Sequence, residues 1–207
     1  MEYKKYKLFE FEREFPAEIF LYKLGKISYH FHSKLELIYV LEGNVEIISQ
    51  DRLYALYEDD IFLCNAYSSH ELHGQNAVIL SLELDMEKLG VKKEERESII
   101  FDCNSSLEED KSQFEKIKAL ISSFIKYNLK QQENRIYANL SMIYTLFAEL
   151  LNKYQITSNT KVNKASKNLI KLNKIIEFIN QNYNKGIGLK DLSLQFNLTV
   201  PYLSLFF

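Results

Sequence analysis

GKISYHFHSKLELIYVLEG, residues 25–43, sets two histidines two residues apart, a glutamate four residues further on and a glycine seven beyond that. Side chains two apart on a strand point to the same side, so His30 and His32 can face one cavity together, and Glu36 keeps their even phase beyond a turn. A second stretch, DIFLCNAYSSH over residues 60–70, adds His70. Three imidazoles and a carboxylate leave open positions on a divalent first-row ion, which suits Zn, Fe, Mn or Ni, and the spacing does not choose among them. Without a metal, the same four groups are hydrogen-bonding partners for a small organic ligand. Both readings put the quartet in a pocket.

Around these motifs, residues 19–84 run in short β-branched and aromatic segments such as LIYVL (37–41) and VEII (45–48), broken by Gly43, Asn44 and the Asp59-Asp60 pair. That pattern predicts antiparallel strands in a sandwich or small barrel. Tyr29, Phe31 and Tyr39 fall on the phase opposite to the histidines and are expected on the outer face, and Glu71 and His73 are expected to face solvent. The segment before Ile19, with Tyr3, Tyr6, Phe9, Phe11 and Phe15 among charged residues, reads as a first strand or as an arm over the pocket.

From Ser112 the period changes. Phe114, Ile117, Leu120, Ile121, Phe124 and Ile125 recur at three and four residues, and so do Ile136, Leu140, Ile143, Leu146, Phe147, Leu150 and Leu151 after the polar QQEN break at 131–134. Two helices on these stripes form an αα-hairpin, packed on the barrel or on a second subunit. The polar, basic stretch from Thr157 to Asn168 has the composition of a linker. Beyond it come a helix carrying Leu169, Leu172, Ile175, Ile176 and Ile179, a short helix from Leu189 to Phe196, a turn at Asn197-Leu198, and a new start capped by Thr199 with Pro201 in its first turn. Leu189, Leu192, Phe196, Leu198, Tyr202, Leu203 and Phe206 are the expected core of this small helical part.

Taken together, Gly25-x4-His30-x-His32-x3-Glu36-x6-Gly43 and Asp60-x5-Ala66-x3-His70 resemble the two motifs of the cupin barrel, with His30, His32, Glu36 and His70 at the family's metal-ligand positions. The departures are a first spacer one residue short, Asp60 in place of glycine and Ala66 in place of proline. Residues 175–207, with a helix ending in Asn182-Tyr183, a Leu-x-x-Leu-Ser helix and a Tyr-Leu-Ser helix, resemble the opening of the AraC-family DNA-binding domain. The resemblance implies a ligand-responsive transcriptional regulator, a homodimer contacting promoter DNA, with a small-molecule effector; sugars are a common class among relatives. It also implies phosphate contacts from Lys185 and Lys190 and a base-facing helix carrying Thr199, Val200, Pro201, Tyr202 and Ser204. A basic residue common in the family near Leu205 is absent.

The expected architecture is therefore α+β. A cupin-type β-barrel (double-stranded β-helix) occupies residues 1–110, a two-helix dimerisation segment 111–156, a linker 157–168, and a truncated AraC-type DNA-binding domain with only its first helix-turn-helix 169–207. Charge agrees with this division. Residues 161–207 hold seven lysines against Glu177 and Asp191, a net +5, which leaves −7 for residues 1–160 of a chain at −2. With only one helix-turn-helix unit, this 207-residue chain is expected to bind DNA weakly or not at all. Cys64 and Cys103 form neither a Cys-x-x-Cys pair nor a disulfide framework and read as free thiols of a cytoplasmic protein. No apolar run reaches the roughly 18 residues of a membrane span, and residues 1–10 lack the apolar core of a secretory signal. The main alternative is a metal-dependent cupin enzyme, a dioxygenase or isomerase, using the same four residues; no further acid or base marks catalysis, and the favoured reading is not an enzyme.

Overall fold

A computed structural model describes residues 3–50, 52–96, 99–130, 135–156 and 164–204. They divide into two compact units, Met1–Thr157 and Ser158–Phe207. In the first unit, β1 (Lys4–Lys7), β2 (Ala17–His30), β3 (Leu35–Ser49), β4 (Arg52–Leu56), β5 (Ile61–Cys64) and β6 (His70–Leu84) form one antiparallel sheet in the order β1-β2-β6-β3-β4, with β5 on β3. The long strands β2, β3 and β6 pair along both halves, with β5 on one half of β3 and β4 on the other, which is consistent with the expected α+β class.

The two faces of the sheet are apolar for different reasons. Ile19, Leu35, Leu37, Ile61, Leu63, Leu80, Leu82 and Leu84 line one face; Phe20, Tyr22, Leu24, Ile38, Val40, Val45, Ile47, Leu72 and Ile79 line the other. The first face is covered by helices. After α1 (Lys93–Arg96) and short 3₁₀ turns at Ser105–Leu107 and Ser112–Phe114, the second of which buries Phe114, α2 (Glu115–Leu129) and α3 (Arg135–Lys153) bury Ile117, Ile121, Phe124, Ile143, Leu146, Phe147 and Leu150 against it. The helical stripes are thus used up on the sheet, and the boundary expected at 110/111 is not one between compact units: α2 and α3 belong to the first. The QQEN break lies outside the described residues.

Alternation along the strands changes phase at two places. On β3 the residues of the second face are Glu36, Ile38 and Val40, then Val45, Ile47 and Ser49, with Gly43 at φ +79 between them. A Cβ on Gly43 would meet Asn76 O at 2.9 Å as well as the left-handed backbone, so glycine is required there. On β6 the switch falls near Asn76, φ +53. These bulges bend both long strands. Asp59, not Asp60, takes the left-handed turn before β5 (φ +73). Position 60 therefore has no need of glycine, and the buried Asp60 carboxylate instead accepts from Tyr57 N, Ser105 Oγ and Lys111 Nζ, tying the β4–β5 turn to the approach to α2.

The second unit holds α4 (Lys164–Asn182), a 3₁₀ turn at Tyr183–Lys185 closed by Gly186 at φ +68, α5 (Leu189–Phe196) and α6 (Val200–Leu203). Of the expected linker, 157–163 lies outside the described residues, while Lys164–Asn168 is already helical; no proline or glycine there stops α4 from starting early. Ile175, Leu192 and Leu203 are buried, with Phe178, Ile179, Phe196 and Leu198 packed beside them. Leu189 and Tyr202, expected in this core, are instead 42% and 38% exposed, because each lies at the first turn of a short helix, away from the three-residue centre. Phe206, Leu205 and the side chain of Leu169 lie outside the described residues.

Between α2 and α3 lies a buried polar pair. Asn128 Nδ2 donates to Asn139 Oδ1 and Asn139 Nδ2 donates to Asn128 Oδ1, both at 2.9 Å. Replacing one partner strands the other in an apolar interface, at a cost of about 1–3 kcal/mol. Asn139→Ala is expected to lower the urea midpoint accordingly; an unchanged midpoint would mean that the pair does not hold the two helices in register.

Candidate metal and ligand site

His30 ends β2 and stands opposite His70, which opens β6. His32 lies beyond the strand, in the connection to β3. Same-side strand geometry therefore does not place it; the peptide on either side does. Tyr67 N donates to His32 O at 2.7 Å, and His32 Nδ1 lies 2.9 Å from Lys34 O. Glu36 comes from β3 and completes the quartet. One candidate ligand atom from each of the four lies within 4.8 Å of the others.

The second nitrogen of each ring is fixed in the same way. His30 Nδ1 lies 2.9 Å from Ser28 O, His32 Nδ1 2.9 Å from Lys34 O, and His70 Nδ1 2.9 Å from Ser68 O. A carbonyl oxygen only accepts, so each Nδ1 carries a proton and each neutral ring keeps its lone pair on Nε2. The Nε2 atoms of His32 and His70 then both lie 3.1 Å from the same Glu36 oxygen, Oε2. Two lone pairs facing a carboxylate oxygen repel unless a proton or a metal ion sits among them. The donor set therefore fits a divalent ion held by three Nε2 atoms and Glu36, with the backbone carbonyls orienting the rings. Around such an ion, ligand atoms stand about 3–4 Å apart, a small contraction from the spread observed.

Glu36 is buried, and its other oxygen, Oε1, accepts from Ser81 Oγ at 2.5 Å. Burial alone would push the carboxyl's pKa up, but His32 and His70 hold it well below the usual carboxylate range. Burial also works against charge on His32, and Glu36 outweighs it, so His32 is raised above 6.5. His30 is lowered, first by burial and then by neighbouring His70. Cys64, opposite Glu36 across β3 and β5, has its thiol pushed well up, first by burial and then by that carboxylate, so it is not an available thiolate donor.

A cavity of about 560 Å³ opens beside the quartet, lined by His30, His32 and Glu36 with Tyr3, Lys5, Tyr22, Leu72 and Ile79 among others. A larger recess of about 780 Å³, lined by Lys4, Lys23, Leu24, Glu46, Tyr57 and Gln75 among others, contains none of the quartet. We take the smaller one as the functional cavity, since it is the one lined by His30, His32 and Glu36. Sequence reading missed Ser81, because the Asn76 bulge puts it on the face of Glu36 although its parity differs from that of His70. It also missed Lys5, which lies opposite Tyr22 in the β1–β2 register. Glu71, expected in solvent, is buried, paired with Lys26 at 2.9 Å and with His73. Tyr29 and Phe31 are exposed, as an outer-face position requires.

Residues 22–84 match the AraC-like ligand binding domain. The matched segment contains all four donors. No relative matches among curated proteins. Among solved structures, the chain is similar to a conserved protein of unknown function from Streptococcus pyogenes (18% identity, TM-score 0.36, covering 40% of this chain and 74% of that one). It is also similar to a cupin superfamily protein from Desulfitobacterium hafniense (18%, 0.37, 40% and 77%) and to a mutant of Bacillus subtilis oxalate decarboxylase (16%, 0.33, 34% and 21%).

The residues expected to meet DNA lie in the second unit. Lys185 and Lys190 are exposed, with Lys185 Nζ donating to Asn182 Oδ1 at 2.9 Å. Thr199 caps α6, its Oγ accepting from Tyr202 N, and Ser204 Oγ donates to Val200 O. Pro201 and Tyr202 are exposed and Val200 is half-buried. No described helix is long and apolar enough to cross a membrane.

The opposed shifts of two neighbouring histidines give a direct check. His32's contribution to stability is complete below 6.5 and fades as pH rises through its higher folded value; Glu36's is present above 4.5 and fades as acid brings the pH towards its lowered one. In metal-free protein, an NMR titration is expected to give a midpoint below 6.5 for His30 and above 6.5 for His32. The opposite order would contradict this geometry.

Proposed function

We propose that this chain is the sensing part of a ligand-responsive AraC-type transcription regulator, in which a small molecule enters the quartet cavity and the signal passes to a C-terminal helix-turn-helix on promoter DNA. The observation that carries the reading is the convergence of three carbonyl-fixed imidazoles and a buried carboxylate on one cavity, inside the segment that matches an AraC-like ligand binding domain. His30, His32, Glu36 and His70 would hold a divalent transition metal, which when bound supplies a Lewis acid that orients an oxygen-donor ligand.

Two further features support transmission. Tyr3 and Lys5 line the cavity, while a few residues later Phe11 and Phe15 pack on Phe124 of α2, with ring centroids 5.7 and 6.4 Å away. One N-terminal segment thus touches both the cavity and the helical hairpin. We also propose a homodimer through that hairpin, where α3 leaves Tyr137 and Tyr144 exposed. In the second unit we propose that α5 and α6, joined by left-handed Asn197, act as a helix-turn-helix, with Lys185, Lys190, Thr199, Val200, Pro201, Tyr202 and Ser204 as the DNA contacts.

The second reading is a metal-dependent cupin enzyme, favoured by the same donor set opening on a cavity. Iron-loaded protein that consumes oxygen with a small substrate would decide for it.

Elemental analysis of the purified chain beside the double variant His30→Ala/His70→Ala tests the site. About one metal per chain is expected, and its loss in the variant. A ligand specific for the folded state should then raise stability by about 2.7 kcal/mol at a hundredfold excess over Kd. Metal absent from both proteins would contradict the metal site.

A further inference from the structure

Building on the metal reading of the quartet, we infer that the cavity takes a small organic anion, a 2-hydroxy- or 2-oxo-carboxylate with an apolar tail, and that Lys5 is the residue that selects for its charge. Three neutral imidazoles and one carboxylate leave a divalent ion with an excess positive charge at open positions that prefer oxygen donors. That excess lies in a largely buried setting, where an unneutralised charge is felt strongly. A carboxylate beside a hydroxyl or carbonyl oxygen supplies two donors and the missing negative charge. A neutral polyol supplies only the donors.

Lys5 lines the same cavity, where it would meet the carboxylate oxygen that the metal leaves free. It stands opposite Tyr22 in the β1–β2 register, with Nζ 3.6 Å from the centroid of Phe20 and 5.3 Å from that of Tyr22. Its carboxylate partner, Glu83, is held at a long 3.3 Å through Oε1, while Glu83 Oε2 has Lys34 at 2.9 Å. Lys5 can therefore turn to an incoming carboxylate without leaving Glu83 unpaired, and its ammonium already has aromatic faces beneath it. The other cavity lysine, Lys26, is engaged by Glu71 at 2.9 Å. Tyr22, Leu72 and Ile79 provide an apolar wall for the tail, and about 560 Å³ suits a ligand of roughly metabolite size.

The test uses the full chain loaded with Zn²⁺, with zinc content measured in every sample, and calorimetric titration with mandelate and with mandelamide, which keeps the shape and loses the charge. Mandelate should bind and mandelamide should not. Lys5→Gln should weaken mandelate about tenfold, the scale of one charge-assisted hydrogen bond, with zinc content unchanged. Lys7→Gln removes the same charge from the same strand, but Lys7 pairs with Glu10 and Glu18 away from the cavity, so it should leave affinity unchanged. Zinc at one per chain with no mandelate binding, equal binding of the amide, or an unaffected Lys5→Gln would overturn this inference and leave the metal site standing. A chain that takes up no zinc would overturn both.

Discussion

Glu36 is a carboxylate with little access to bulk water, only 5% exposed, and the first unit is built so that this is tolerable. A buried, uncompensated carboxylate costs several kcal/mol, enough to consume a large part of a domain's net stability. Here Ser81 compensates one oxygen, while the other faces the Nε2 atoms of His32 and His70, which compensate it only with a proton or a metal ion between them. All three imidazoles of the quartet, His30, His32 and His70, are held by the carbonyls of Ser28, Lys34 and Ser68, so their orientation is set by backbone and not by rotamer preference. Because those carbonyls fix the proton on Nδ1, the inward nitrogens are donors of electron pairs. The arrangement is balanced only with a cation at its centre, whether a proton on His32 or a bound metal.

That constraint explains how the sheet is used. The face carrying Glu36, His70 and Ser81 cannot be covered by helices without closing the cavity, so α2 and α3 lie on the opposite face, where Leu35, Leu37, Leu80 and Leu82 receive Ile117, Ile121, Phe124, Leu146 and Leu150. The helical hairpin and the site are then two sides of the same strands. Asp60 and its partners Ser105 and Lys111 connect the turn before β5 to the approach to α2, and Phe11 and Phe15 connect the N-terminal segment to α2 itself.

The four donors were legible in the sequence because their spacing is local: His30, His32 and Glu36 within seven residues, and His70 at the start of the strand that pairs with β2. The helical stripes, the short helix at Leu189–Phe196 and the Thr199 cap were legible for the same reason, since caps and periodicity act over one turn. What escaped depended on distant or phase-breaking features. Ser81 joins Glu36 only because a bulge at Asn76 inverts the alternation of β6. Lys5 reaches the cavity only through the register of β1 on β2. His32 was placed on a strand by its spacing, yet the strand stops at His30 and the Tyr67 amide holds the loop instead. Glu71 looked solvent-facing by alternation and is buried by its pairing with Lys26 and His73.

The central claim is that the chain itself presets three Nε2 lone pairs around Glu36, and histidine tautomers read it out directly. Long-range ¹H–¹⁵N correlation spectra of metal-free protein, recorded at a pH above the His32 midpoint, should show His30, His32 and His70 all protonated on Nδ1, with the three Nε2 resonances moving together when Zn²⁺ is added. Nε2–H tautomers at these positions, or Nε2 resonances that ignore the metal, would contradict the account.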